Sequence, residues 1–385
     1  MKIVIAPDSF KESLSAMEVA NEIERGFRTV LPNAEYLKIP VADGGEGTVQ
    51  SMVDATNGRL IWTQVSGPLG HKVNAFYGIL GDSYHGNEKT AVIEMAAASG
   101  LHLVAADQRN PLLTTSYGTG ELIVDALNRG IKHIIIGLGG SATNDGGAGM
   151  AQALGVHLLD ADSTALAPGG AALAQLQHID LDDLHPLVSQ CRFEVACDVN
   201  NPLCGEYGAS AIFGPQKGAT TTMVQQLDNA LNHYADVITQ TGIQDNRHLA
   251  GVGAAGGMGL GVMAFLNAQL KPGIDIVMNT VDLASHIEGA SLVITGEGKL
   301  DSQTLHGKTP MGVAGVANQF NVPVLAIAGC VSDDANVLLE HGFTALFSIT
   351  PRALPLAEVL ANAKANLYTT SKNVAALYSL SMPAK

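Results

Sequence analysis

Charge is scarce in this chain, and so are aromatic rings. Charged residues fill 15% of the 385 positions and aromatics 5%, with a single tryptophan. So little charge excludes a disordered polyelectrolyte and a long solvated coiled coil. Lysine and arginine number 21 against 36 acidic residues, for a formal net charge of −15. With no basic run to neutralise phosphates, a nucleic acid is not an expected partner. Long hydrophobic runs are missing too. The first, from Ile3 to Ala6, stops at Pro7 and Asp8, so neither a signal peptide nor a membrane span is expected. Cys191, Cys197, Cys204 and Cys330 have no CxxC spacing. A zinc ribbon or disulfide framework is therefore not implied, and reduced thiols in the cytoplasm are the expectation. The histidines show no HExxH spacing, and no GxSxG elbow occurs, which leaves zinc hydrolases and serine hydrolases without support.

Glycine is what the chain has in excess: 43 residues, about 11% where about 7% is usual. The length calls for more than one core, and two domains are expected. The opening reads βαβα. A β-branched run at Ile3–Ile5 leads through a polar loop to Ala16, Val19, Ala20, Ile23 and Phe27 at helical spacing, with Ser15 and Glu18 as a capping box. A second strand from Tyr36 to Val41 is followed by ADGGEGT and a helix bearing Val49, Met52 and Val53. From Gly58 the rhythm changes to LIWTQV, VNAFYGIL and AVIEM, joined by turn-rich pieces such as GDSYHGNEK, which suggests a mixed sheet. The βα rhythm resumes at SLVITGEGKLDSQ, VPVLAIAGC and ALFSIT, each followed by a helical pattern. The expected architecture is α/β with two α/β domains. Residues 1–58 and 285–385 form a discontinuous Rossmann-like domain with a parallel sheet, and residues 59–284 form an inserted domain with a mixed sheet.

In open parallel sheets, ligands gather beyond the carboxyl ends of the strands. Five loops there carry polar residues: Asp8, Ser9 and Lys11; Asp43 with Gly44 and Gly45; Ser141 to Gly147; Asp198; and Lys299 with Asp301. Aspartate and glycine are also ordinary turn residues, so the repetition across loops is what points to a site.

The richest loop is GLGGSATNDGGAGM. Its glycines let backbone approach a phosphate, while Ser141, Thr143 and Asn144 add hydrogen-bonding groups. Three readings compete. Gly137, Gly139 and Ala142 fit the dinucleotide form GxGxxA, with Asp160 placed to meet a ribose; the same residues resemble the GLGSSA loop of the galactokinase and homoserine kinase superfamily; or the segment is a phosphate loop of another fold. Glycine abundance weakens the first, since GVGAAGGMGLGVMAFL generates similar matches. That stretch is too short for a lipid-spanning helix and reads as a tightly packed loop and buried helix. A Walker A loop fails at Ser302, where glycine is required before Gly307, Lys308 and Thr309.

Lysines are few, and Lys11, Lys217, Lys299 and Lys308 all lie in or beside Gly- or Ser-rich loops. A compact cation there can hold a carboxylate or a phosphate. Asp43, Asp198 and Asp301 are the carboxylates best placed to hold Mg²⁺ or accept a hydroxyl proton.

The blocks IAPDSFKESLSA, PVADGGEGT, IEMAAASGL, TTSYGTGELI, GLGGSATNDGGAGM, ACDVNNPL, FGPQKGA, GAAGGMG and ITGEGKLDSQTLHGK occur in this order. Together they closely resemble the type I bacterial glycerate kinases across essentially the whole chain. The resemblance implies ATP-dependent, Mg²⁺-supported phosphorylation of D-glycerate to 2-phosphoglycerate, two α/β domains, and an active site in the cleft between them. Loop chemistry within these blocks suggests the roles. Asp43, Asp198 and Lys11 are the catalytic candidates, and Asp8, Ser9 and Lys11 the substrate-binding ones. Gly139, Gly140, Ser141, Asn144, Lys217 and Lys299 would bind ATP phosphates, with Asp301 toward Mg²⁺. A nicotinamide-dependent oxidoreductase and a non-catalytic metabolite-binding protein are the rival readings, and a monomer or homodimer is expected.

Overall fold

The computed structural model describes residues 1–81 and 89–380; most of the turn-rich GDSYHGNEK piece lies outside them. The chain forms two compact units. One comprises Met1–Asp43, Gln50–Gly58 and the chain from Ile274 onward; the other comprises Gly44–Val49 and Arg59–Gly273. The return to the first unit thus falls at Ile274, ahead of the expected residue 285, and residues 44–49 belong with the second unit.

The first unit holds a five-stranded sheet in the order Ala345–Ser348, Val324–Ala328, Leu292–Thr295, Lys2–Ile5, Glu35–Lys38. Every pairing is parallel. Numbered along the chain, the strands run 5-4-3-1-2, a doubly wound order whose direction reverses between Lys2–Ile5 and Leu292–Thr295. Parallel strands covered on both faces must be apolar throughout; Ile3, Val4, Ile5, Leu292, Val293 and Ile294 are fully buried. The helix Ala16–Val30 begins where the sequence indicates. Ser15 Oγ accepts from the Glu18 N–H at 3.2 Å, and Glu18 Oε2 accepts from the Ser15 N–H at 3.0 Å. After Val324–Ala328 the expected helix is instead a 3₁₀ stretch, Asp333–His341.

The second unit holds a six-stranded mixed sheet in which spatial order follows chain order: Arg59–Ser66, Lys72–Ile79, Thr90–Glu94, His133–Gly137, Arg192–Ala196, Gln269–Lys271. The first three strands pair antiparallel and the rest parallel. Arg59–Ser66 and Lys72–Ile79 form a hairpin, as the change of rhythm after Gly58 suggests.

The glycine-rich GVGAAGGMGLGVMAFL segment forms the helix Ala254–Leu266, broken by positive φ at Ala255, Gly256 and Gly257. The break lets backbone lie on backbone. The Gly146 N–H donates to the Gly256 carbonyl at 3.0 Å, and a Cβ on Gly256 would stand 2.1 Å from the Thr143 carbonyl oxygen. Among the described residues no helix is long and apolar enough to cross a membrane.

Candidate active site

In the first unit, the polar residues collect at the switch point. Asp8 follows Lys2–Ile5, and its N–H donates to the Gly296 carbonyl at 2.8 Å, tying together the two loops on either side of the reversal. The Val41 N–H donates to the Pro7 carbonyl at 3.0 Å, which brings the Asp43 loop alongside. Asp8 Oδ2 accepts from Thr309 Oγ1 at 2.6 Å, and Oδ1 from the Ser9 N–H at 2.6 Å. Thr309 opens the helix Thr309–Gln319. Burial pushes the Asp8 carboxyl up to about 6, against the Thr309 hydrogen bond, and nearby Asp43 adds to the rise.

Lys299 and Lys308 of this unit pair with other carboxylates. Glu297 accepts from Thr304 Oγ1 at 2.8 Å and lies 3.5 Å from Lys308 Nζ; burial raises its pKa despite those partners. Asp301 lies 3.1 Å from Lys299 Nζ and 3.7 Å from Lys308 Nζ, and accepts from the Gln303 N–H at 3.1 Å. Its carboxylate is thus committed to two cations and a helix cap, a poor setting for a metal ligand. Asp8 is held by hydroxyl and amide donors and feels Asp43 as a like charge, so this pair is the better fit to a divalent cation that takes one or two carboxylates. Lys11 is exposed, and its backbone nitrogen lies against Gly298.

In the second unit, two glycine loops meet. A Cβ on Gly137 would lie 2.9 Å from the Gly44 carbonyl oxygen, and one on Gly44 would meet Ala196 at 2.9 Å. Glu94 Oε1 accepts from the Val49 N–H at 2.8 Å, holding the start of the helix Thr48–Thr56 at the carboxyl end of the interior strand Thr90–Glu94. Asp198 is exposed, follows Arg192–Ala196, and accepts from the Gly273 N–H at 2.9 Å.

The expected phosphate-binding residues divide in two. Gly139 and Gly140 are exposed, whereas Ser141, Asn144 and Lys217 are buried. Lys217 Nζ donates to Ser141 Oγ at 2.8 Å and to the Thr143 carbonyl at 2.6 Å; Asn144 Nδ2 donates to Ser210 Oγ at 2.9 Å. Burial lowers the Lys217 pKa to about 7, partly opposed by Asp145. Asp145 is also buried, and burial raises its pKa although it accepts from Ser116 Oγ at 2.8 Å and from the N–H groups of Ser116, Gly147 and Gly149. Ser141, Asn144 and Lys217 therefore brace the loop from beneath, leaving the glycines at its surface. Asp145, Glu94, Glu297 and Thr309 escape the sequence reading. Asp145 and Glu297 lie inside segments already singled out, but nothing in their spacing separates them from ordinary turn residues.

The dinucleotide reading does not survive. After His133–Gly137 the next helix, Ala148–Ala153, opens well beyond Gly137–Ala142, whereas the fingerprint requires the helix to begin at the glycines. Asp160 follows His157–Leu159, which pairs with His178–Asp180 in a separate two-stranded ribbon.

What the fold and loops define is an α/β protein with polar, glycine-rich loops beyond the carboxyl ends of its strands, and its relatives make it a small-molecule kinase. The Glycerate kinase family matches residues 3–379. The Bacillus subtilis (strain 168) protein named "Glycerate kinase" is 56% identical over 99% of this chain and 98% of its own length. "Glycerate 2-kinase" of Escherichia coli (strain K12) is 55% identical over 99% of both. A crystal structure of a Salmonella typhimurium LT2 protein designated glycerate kinase 2 superposes with a TM-score of 0.90 at 56% identity, covering 99% of this chain and 98% of that one. The chain belongs to the glycerate kinase family.

Proposed function

We propose that the protein transfers the γ-phosphoryl group of ATP to the 2-hydroxyl of D-glycerate, giving 2-phospho-D-glycerate and ADP. The observation that carries this reading is full-length likeness at 55% identity to a protein named for that hydroxyl. In-line phosphoryl transfer asks a protein mainly for positioning and charge stabilisation, and the roles divide by unit.

In the first unit, Lys11 and Ser9 bind the glycerate carboxylate. Asp8 and Asp43 hold Mg²⁺, which supplies charge neutralisation at the phosphates when bound. Lys299, oriented by Asp301, neutralises the transferring phosphoryl group. In the second unit, the N–H groups of Gly139 and Gly140 receive phosphate oxygens, while Ser141, Asn144 and Lys217 fix that loop's shape. Asp198, pinned by the Gly273 N–H, accepts the proton leaving the glycerate hydroxyl.

The test is ADP release by the purified protein with Mg-ATP, with and without D-glycerate. Release that requires both D-glycerate and Mg²⁺ is the expected result. Folded protein that releases no ADP with D-glycerate overturns the assignment.

A further inference from the structure

A cavity of about 550 Å³ lies within the second unit, away from the loops described above. It is bounded by Val188, by Arg192, Phe193 and Glu194 at the start of one strand, and by Phe265 and Lys271. Asp198 follows the carboxyl end of that strand, roughly five residues or about 16 Å further along. Lys271 pairs with Ala196 near the carboxyl end, but its ammonium turns back to Glu194, and the rest of the charged lining lies at the strand's start. Substrates of open α/β sheets gather beyond the carboxyl ends, so we take the cavity to be separate from the phosphoryl-transfer site.

Its charges are arranged in a definite way. Glu194 lies 2.5 Å from Lys271 Nζ, 2.7 Å from His133 Nε2 and 3.7 Å from Arg192 Nη1. Arg192 Nη2 also lies 3.1 Å from His133 Nδ1. Thr90 Oγ1 lies 3.2 Å from the same Nδ1, and the Arg192 and Lys271 cations both stand against the Glu194 carboxylate. Their exposure decides which sign an incoming molecule meets: the side chains of Arg192 and Lys271 are 54% and 42% exposed, that of Glu194 13%. A cationic mouth over walls that mix polar and apolar side chains is thus built into a chain of net charge −15. Its volume falls within the range of small-molecule sites.

We infer that this cavity is a second ligand site, for a small organic anion with an apolar body whose carboxylate or phosphate monoester group is held by Arg192 and Lys271. The apolar body lies against Val188, Phe193 and Phe265.

The test uses benzoate and phenyl phosphate as probes, with benzyl alcohol as the neutral control, measured by saturation-transfer NMR on the full chain. Both anions, or one of them, are expected to bind more tightly than benzyl alcohol, and the tighter anion identifies the head group. Arg192→Gln should raise Kd about tenfold, the effect of losing a hydrogen bond to a charged group. Ser189→Trp, a change at an exposed lining position, should block binding, with circular dichroism checking that each variant is folded. Asp198→Asn and saturating D-glycerate should leave Kd unchanged. The inference is overturned if neither anion outbinds benzyl alcohol, if both folded cavity variants bind like the parent, or if D-glycerate displaces the probes.

Discussion

The Lys217 ammonium donates to the Thr143 carbonyl at 2.6 Å from a fully buried position, and the same nitrogen reaches Ser141 Oγ at 2.8 Å. With both bonds directed at the glycine loop, this lysine is placed to shape that loop. Lys217→Met should therefore raise the KM for ATP by about tenfold or more, the scale of losing hydrogen bonds from a charged donor. The discriminating measurement is the salt dependence of that KM. A direct phosphate contact would make the variant's KM less sensitive to salt than the parent's, whereas a brace leaves the sensitivity unchanged.

The same lysine sets a pH dependence of stability. Its pKa falls to about 7 in the native state, mainly through burial, against 10.4 in a free chain. Between those values the unfolded chain keeps a proton that the native protein has released. Stability from this group therefore rises with pH across the window and is lost as pH falls toward about 7. The gap in thermal midpoint between parent and Lys217→Met should move in the parent's favour from about pH 7 to about pH 10. A gap that does not change with pH contradicts the burial of a titrating amine.

Gly256 carries the loop from the other side. Its φ is +72°, and a Cβ placed on it would stand 2.1 Å from the Thr143 carbonyl oxygen, which leaves no room for a side chain. Gly256→Ala should cost at least about 2 kcal/mol, combining left-handed strain with overpacking. Urea denaturation checks this, and a midpoint equal to the parent's would show that the loop and helix are not packed this way.

Much of this fold is legible in the sequence because local signals and tertiary structure agree. The Ser15–Glu18 capping box, the buried strand Ile3–Ile5 and the strands of the mixed sheet after Gly58 all form where periodicity and turn chemistry put them. The divisions of the chain are harder to read. Gly44–Val49 looks like the continuation of a βα unit, yet the Val49 N–H bonds to Glu94 and Gly44 lies against Ala196, contacts that no local pattern encodes. The site is legible as loops and not as roles. Lys217, Ser141 and Asn144 have the chemistry of phosphate ligands, and only the structure shows that they are buried and hydrogen-bonded to one another, to the loop backbone and to Ser210; Asp301 has the chemistry of a metal ligand, and only the structure places Lys299 and Lys308 beside it.

Asp198 is exposed and accepts from the Gly273 N–H, a bond that an amide oxygen also accepts, so the Asn variant should fold normally. A catalytic base is worth about 10² to 10⁴ in rate. Asp198→Asn should lower kcat by that factor while leaving the KM for ATP and the thermal midpoint near the parent's. Turnover close to the parent's would remove Asp198 from the proton-accepting role and leave Asp43 as the remaining carboxylate to test.

The most direct measurement is phosphorus NMR of the product formed from Mg-ATP and D-glycerate. Glycerate-dependent appearance of 2-phosphoglycerate together with ADP is the expected result. A 3-phosphoglycerate signal would contradict the assigned hydroxyl, and ATP left intact by folded protein would contradict the reaction itself.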